Sequence, residues 1–195
     1  RGGRPKAVHR MIMLSHAYRQ SSATRPQAVA VDAQNRLLWR FAPRRLEAEA
    51  IRDSVLAVSG ALDLRMGGPG YDVFEPNTNY VKVYTPRQDF GPAQWRRMVY
   101  QHKPRMRQDA TFGEFDCPDS SQAVARRNVS TTALQALNLL NGSFMVQQAE
   151  QFAARLPRDA GQEVNAEARR TLRLALGRAA DVLEVSLERS MLDDV

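Results

Sequence analysis

The most reactive side chains lie close together in one stretch, Phe-Asp-Cys-Pro-Asp, which holds the single cysteine, Cys117. A cysteine nucleophile needs a nearby cation or base that favours its thiolate. Asp116 and Asp119 carry the opposite charge, so we interpret Cys117 as a buried structural residue. The two carboxylates are compatible with three roles: pairing with Arg126 and Arg127 or capping of turns, acid–base chemistry, and cation binding.

Two further side chains are candidates for acid–base work. Glu47 lies at the edge of a predicted helix face, where Arg44 can pair with it, and a structural ion pair is preferred over a catalytic carboxylate. His102 has cationic neighbours that disfavour its protonated form, which leaves a general base as the alternative to a structural role. The full candidate set for binding or for a network is Glu47, Asp53, Arg97, His102, Asp116, Cys117, Asp119, Arg127 and Asn128.

Metal and haem chemistry have little support in the sequence. One cysteine excludes an internal disulfide, a covalent haem motif and a multi-cysteine zinc site. His9 and His16 are seven residues apart, whereas helical zinc ligands are usually three or four apart. The glycine-rich run at residues 66–70 lacks the Gly-Lys-Ser/Thr ending of a phosphate-binding loop, so we predict a compact turn, with a backbone ligand nest as the alternative. We expect no metal and no cofactor in this chain.

Positive charge is concentrated at the N-terminal end. The chain has 195 residues and a net charge of +7. Residues 1–45 hold ten basic groups and one acid, and the remaining residues hold 18 basic and 20 acidic groups. Since the excess is local, we predict a docking face for an upstream domain rather than a nucleic-acid surface or a membrane-surface patch. No apolar run is long enough for a transmembrane helix, and no signal peptide is visible.

The elements that position these residues are predicted to be helices around an irregular centre. Apolar spacing predicts helices over residues 6–18, from Pro43 to Gly60, and four more after residue 130. Residues 21–34 are expected to be a loop, and the apolar run at residues 37–41 is expected to pack inward. Ser130 or Thr131 is the predicted cap of the first C-terminal helix, and Asp181 with Glu184 forms a predicted capping box for the last. The predicted inward residues of these two helices are Leu134, Leu137, Leu140, Leu183, Leu187 and Met191. In the second helix Arg52 is expected on the solvent face. Alternation predicts one short strand at Tyr80–Thr85, and residues 111–127 are expected to be an ordered loop. The fold class is therefore mainly α with a Gly/Pro-rich irregular centre and at most a small β element, divided into residues 1–129 and a helical bundle of residues 130–195 that is packed with the first part as one unit.

Several strings together resemble one family, the planctomycete-specific domain of unknown function 1553. They include His9-Arg10, Asn35–Arg40, Arg44–Asp53, Gly67–Pro69, Phe115–Asp119, Arg127-Asn128 and Thr131–Asn141. The resemblance runs from about residue 6 to residue 178 and implies the C-terminal part of that domain. It implies a large exported protein, located in the periplasm, cell envelope or outside the cell, in which this domain follows another domain and often a cytochrome c domain.

The resemblance brings no established activity. Two hypotheses remain open. The first is a structural or ligand-binding module that docks on its upstream domain or a cytochrome-type partner and holds a glycan or envelope ligand. The second is part of a redox-linked or hydrolytic enzyme that acts on complex polysaccharide. A pair of acid–base residues or a set of metal ligands would favour the enzyme. We prefer the first hypothesis.

Overall fold

The computed structural model describes residues 3–105, 107–109, 111–160, 164–179 and 181–193. Its contacts divide the chain into two compact units, Arg1–Arg45 and Leu46–Val195. The described part contains seven α-helices and no β-sheet, which confirms the mainly α fold class. The predicted division after residue 129 falls within the second unit and stays a prediction.

The first unit contains two short helices, α1 (Pro5–Met13) and α2 (Pro26–Val31). Each has a proline in its first turn, where the missing N–H costs nothing. Helix α1 is shorter than predicted because the Ser15 hydroxyl donates to the Ile12 carbonyl at 2.7 Å and accepts from the Tyr18 N–H at 3.2 Å, which forms a turn. Helix α2 lies in a segment that we predicted to be a loop.

An arginine–tryptophan contact orders the rest of the first unit. The Arg40 and Arg25 guanidiniums lie 5.0 and 5.6 Å from the Trp39 ring centroid. The Trp39 indole N–H donates to the Asp32 carbonyl at 2.8 Å. The neighbouring leucines, which we expected to pack inward, are exposed: Leu37 and Leu38. Trp39 and Phe41 are half-buried, and the Phe41 ring packs edge to face on Tyr18 at a centroid distance of 5.6 Å. Cation–π and aromatic contacts therefore organise this segment.

The second unit begins with α3 (Ala48–Ser59) and continues into an irregular centre with 3₁₀ turns at Pro92–Gln94, Met98–Tyr100 and Gly113–Phe115. Four helices follow: α4 (Ala133–Asn141), α5 (Ser143–Ala160), α6 (Val164–Leu176) and α7 (Val182–Asp193). Helix α5 contacts α3, α4 and α6, and α6 contacts α7. No helix in the described ranges has the length and apolar character needed to cross a bilayer.

Helix α3 departs from prediction at its start and on its buried face. It begins after Glu47 rather than at Pro43, and it ends as predicted at Gly60, whose φ of +83° is the left-handed conformation that glycine adopts easily. Arg52, predicted to face solvent, is 1% exposed. It shares the buried face with Ala48 and Leu56.

The predicted strand at Tyr80–Thr85 is wrong. Tyr80, Val81 and Val83 are exposed, so no apolar face holds a strand there. The Asn77 amide instead donates to the Val83 carbonyl, which forms a side-chain-closed turn. The β-type pairing in the described residues consists of isolated bridges: Asp63 with Arg96, Tyr71 with Gln101, and Phe74 with Pro86.

The C-terminal helices form where predicted, but their apolar faces differ in part. Thr132, one or two residues beyond the predicted caps, caps α4 through a reciprocal box with Gln135. The predicted inward leucines of α4 and α7 are exposed: Leu134, Leu137, Leu140 and Leu187. The predicted box of Asp181 and Glu184 at α7 is confirmed by hydrogen bonds of 2.8 and 3.0 Å. Leu183 and Met191, also predicted inward, lie outside the described side chains.

Aromatic rings form the centre of the core. Phe144 of α5 packs edge to face on Phe112 and Phe90, at centroid distances of 5.3 and 5.5 Å. A main buried cluster surrounds this group: Ala48, Leu56, Met98, Phe112, Phe115, Cys117 and Phe144. A smaller cluster consists of Tyr71, Val73 and Phe74. The irregular centre is thus held by burial and side-chain hydrogen bonds rather than by a sheet.

Candidate functional site

Cys117 lies beside a lysine rather than a carboxylate. The Lys103 ammonium donates to the Cys117 sulfur at 2.9 Å, and the thiol is 9% exposed within the main core cluster. The prediction that Cys117 is buried is therefore confirmed, while the expectation that its aspartate neighbours determine its environment is wrong. Lys103 also lies 3.6 Å from a carboxylate oxygen of Glu49 on α3. Cys117 thus contacts Lys103, which in turn lies beside Glu49.

Glu49 lies at the centre of these charged side chains, between Lys103 and Arg127. Arg127 binds it through two hydrogen bonds of 2.7 and 3.0 Å, and lies 3.4 Å from Glu47. Burial acts to raise the pKa of Glu49, but the hydrogen bonds from Arg127 and the backbone, with the charge of Lys103, hold that pKa below its ordinary value of 4.5. We define this set, Glu47, Glu49, Lys103, Cys117 and Arg127, as the α3 charge cluster.

The two aspartates that flank Cys117, Asp116 and Asp119, bind hydroxyl and amide groups. Asp116 accepts hydrogen bonds from the Ser130 amide at 2.7 Å and its hydroxyl at 2.8 Å. Asp119 accepts from the amide and hydroxyl of Ser121 at 2.8 and 2.6 Å, and these bonds lower the pKa of Asp119. Of the predicted alternatives, the capping of turns is the one that these contacts show. Arg127, a predicted partner of the aspartates, pairs with Glu49 instead.

Asp53 and Arg97 join α3 to the irregular centre. Asp53 accepts a 2.8 Å hydrogen bond from the Met98 amide and a 3.1 Å bond from the Arg97 guanidinium. Asn128 is exposed beside Arg127. These candidates support the fold by ordinary polar contacts, so their geometry does not require a reacting ligand.

His102 has an acidic partner that sequence reasoning missed. Its Nδ1 lies 2.9 Å from the Asp72 carboxylate, so an anion lies beside it in addition to the cationic neighbours that were predicted. His102, Lys103 and Cys117 line a cavity of about 20 Å³. A cavity of that volume accommodates about one water molecule. The sequence-predicted candidates near Cys117 therefore surround a space too small for an organic substrate.

A larger cavity lies at the glycine-rich run, where we predicted a compact turn with a backbone ligand nest as the alternative. The cavity measures about 560 Å³. It is lined by residues 65–72, Arg87, Ala93, Gln94 and Arg96. Arg96, 8% exposed, donates hydrogen bonds to the carbonyls of Gly67 and Pro69 and lies 3.8 Å from the Tyr100 ring centroid. The run of glycines was the only sequence signal for this site, because Arg96 comes about 30 residues later.

Metal ligation has no geometric basis in the part of the chain that the structure describes. No group of three or more His, Cys, Asp or Glu side chains there could hold a metal ion. The expected absence of a cofactor stays a prediction.

The fold and these contacts define a mainly helical protein whose irregular centre is held by side-chain hydrogen bonds and ion pairs. Comparison with protein families matches residues 1–192 to PSD1, described as "Protein of unknown function (DUF1553)". The chain belongs to this family, so the resemblance to domain of unknown function 1553 is confirmed, while the placement in the C-terminal part of that domain stays a prediction. No curated protein and no solved structure matches the chain.

Proposed function

We propose that the chain is a non-catalytic docking module of a larger exported protein, and that its N-terminal unit docks on the preceding domain. The observation that carries this proposal is the exposed apolar face of α1. Val8, Met11 and Ile12 are 45–54% exposed, and α1 has no buried residue. Lys6 and Arg10 project from the opposite side, so the helix is strongly amphipathic.

The charge of this unit specifies the chemistry of the partner. Ten basic groups and one acid in residues 1–45 favour a surface with an apolar centre and an acidic border. Nine of the ten are arginines, and the planar guanidinium pairs with carboxylates in two-point geometry. An acidic protein surface therefore fits better than a lipid headgroup layer, which has no fixed positions for two-point pairing.

Structural roles for the predicted catalytic candidates also favour docking over catalysis. Asp53 holds the Met98 amide, Asp116 holds Ser130, and Glu49 binds Arg127. Each carboxylate is therefore occupied by fold-stabilising donors. The candidate pair of His102 and Asp72 is exposed and carries no nucleophile at hydrogen-bond distance in the described contacts.

The test is amide hydrogen exchange at α1, measured by mass spectrometry. The 195-residue chain is compared with the longer natural polypeptide that contains it. We expect fast exchange at residues 5–14 in the short chain and at least tenfold slower exchange in the longer one, because docking buries the helix. Equal exchange in both polypeptides would contradict the proposal.

A matched pair of variants locates the docking face. Met11→Glu with Ile12→Glu in the longer polypeptide is expected to restore fast exchange at α1. Leu134→Glu with Leu137→Glu on α4 serves as the control, since these leucines are also exposed, at 60% and 54%, but belong to the second unit. Salt-sensitive binding of the 195-residue chain to vesicles of anionic phospholipid, abolished by the α1 variant, would instead assign the helix to a membrane surface and overturn the proposal.

A further inference from the structure

The cavity at residues 65–72 has a fixed floor. Arg96 lies beneath the loop and donates to the carbonyls of Arg65, Gly67 and Pro69, while the Gly67 amide donates to the Tyr100 hydroxyl at 2.7 Å. The buried guanidinium therefore turns three loop carbonyls inward and holds the loop in one conformation. Preorganisation of this kind lowers the entropic cost of binding a ligand.

The exposed backbone of the loop leaves room above this floor. Gly67 and Gly68 have φ values of +76° and +78°, and a Cβ built on either has no heavy atom within 4 Å. The loop therefore presents bare backbone to the cavity rather than packing against the protein. A volume of about 560 Å³ lies within the usual range for small-molecule sites.

Most of the charged side chains on the cavity wall are arginines. Arg65, Arg87 and Arg96 line it, and Asp72 is the one carboxylate among the described lining residues. Arg65 pairs with Asp63 through two nitrogens, at 2.7 and 2.8 Å. Arg87 lies 3.7 Å from a carboxylate oxygen of Glu75 and donates to the Phe74 carbonyl at 3.1 Å. A guanidinium has five N–H donors, more than these contacts use, so both side chains keep donors for an oxyanion.

Asp72 narrows the ligand class. Its carboxylate, 44% exposed, lines the same cavity as the arginines. One oxygen accepts a 3.0 Å hydrogen bond from the Phe74 amide, the other lies 2.9 Å from Nδ1 of His102, and each keeps a further lone pair. A carboxylate repels an anion but accepts hydrogen bonds from hydroxyl groups. A ligand that binds both the arginines and Asp72 therefore carries an oxyanion and several hydroxyl groups in one molecule.

We propose that this cavity binds an acidic saccharide, with a sulfate or carboxylate group at Arg65 and Arg87 and a hydroxyl group at Asp72. The volume suits a unit of about two sugar rings. The inference concerns a different surface from α1 and stands independently of the docking role.

The test is isothermal titration calorimetry of the 195-residue chain with four probes: a sulfated galactose disaccharide, its unsulfated parent, inorganic sulfate and a hexaglutamate peptide. We expect measurable binding of the sulfated disaccharide alone, weakening as salt is added. Equal affinity for the unsulfated sugar would exclude the oxyanion contact. Equal affinity for inorganic sulfate or for the peptide would exclude a saccharide site. Each of these results would overturn the proposal.

Single substitutions identify the contacts. Arg65→Gln and Arg87→Gln are each expected to weaken binding of the sulfated disaccharide about tenfold, the effect of losing one charge-assisted hydrogen bond. Arg97→Gln is the matched control, because Arg97 pairs with Asp53 much as Arg65 pairs with Asp63 but lies outside the cavity. Thermal melts establish that each variant is folded. Equal weakening by Arg97→Gln would show general charge attraction and contradict a defined site.

Discussion

Arg52 of α3 donates a 2.7 Å hydrogen bond to the backbone carbonyl of Arg96, 44 residues later, from a position that is 1% exposed. A second bond runs to the Gln94 carbonyl. The guanidinium also lies 5.0 and 5.3 Å from the ring centroids of Tyr71 and Phe144. One buried cation therefore connects α3, α5 and the irregular centre.

Arg52→Met is expected to destabilise the fold by about 3 kcal/mol, measured by urea denaturation. Methionine retains much of the volume but leaves two carbonyls without their donors, and each unsatisfied buried group costs about 1–3 kcal/mol. Arg105→Met, at an exposed position, is the control and is expected to change stability by less than about 0.5 kcal/mol. A loss below 1 kcal/mol for Arg52→Met would mean that water replaces the guanidinium at both carbonyls.

Arg52 also shows what the sequence could not reveal. Helical spacing correctly predicts a helix here and its end at Gly60, because both depend on local residues. The burial of Arg52 depends on carbonyls that come 42 and 44 residues later in a segment without regular structure. A charged residue is assigned to solvent unless its partners are known, so the pattern placed it on the wrong face.

At the candidate site too, the partners of the reactive side chains come from distant parts of the sequence. Burial of Cys117 was predicted because the two aspartates beside it disfavour a reactive thiolate. Lys103 as its neighbour could not be predicted, since the two residues lie 14 positions apart in irregular chain. Arg127 was assigned to aspartates near it in sequence, whereas its partner Glu49 lies 78 residues away. Local chemistry identified reactive side chains, and long-range contacts decided their partners.

Arg127→Gln is expected to lower the free energy of unfolding by about 1 kcal/mol at pH 7, the upper end for a partly exposed ion pair. The folded-state pKa of Glu49 is lowered, so its contribution is present above its ordinary value of 4.5 and is lost as pH falls through the lower folded value. The difference between wild type and variant should therefore shrink below about pH 4.5.

Urea denaturation at several pH values between 7 and 3 measures that difference. Arg126→Gln is the control, since Arg126 is an exposed neighbour in the same loop. A variant effect that stays constant down to pH 3 would show that Arg127 stabilises by packing rather than through the Glu49 carboxylate.

Gly60→Ala is expected to destabilise the protein by about 1–2 kcal/mol, measured by thermal or urea denaturation. Gly60 ends α3 at φ +83°, a conformation that costs an L-residue about that amount. An added Cβ would also lie 3.1 Å from Cδ of Arg155. The guanidinium of Arg155 donates to the Val58 carbonyl at 2.8 Å, so this side chain is held in place. Gly91→Ala is the control, because its φ of −111° suits any residue and its nearest neighbour lies 3.9 Å away. Equal losses for both variants would argue against a conformational cause.

Thr132→Ala is expected to cost about 1 kcal/mol, because the Thr132 hydroxyl accepts the Gln135 amide at 3.3 Å and so satisfies one of the free N–H groups at the start of α4. The Gln135 side chain completes the box by accepting from the Thr132 amide at 3.2 Å, and it also donates to the Glu114 carbonyl at 2.7 Å.

The cap therefore fixes α4 to the 3₁₀ turn that precedes Cys117, so its loss is expected to speed amide exchange in both segments. Thr132→Ser is the control, since serine keeps the hydroxyl and should retain nearly full stability. Hydrogen exchange and urea denaturation measure the two effects. If serine lost as much stability as alanine, the threonine methyl group would be the stabilising element and the cap would contribute little.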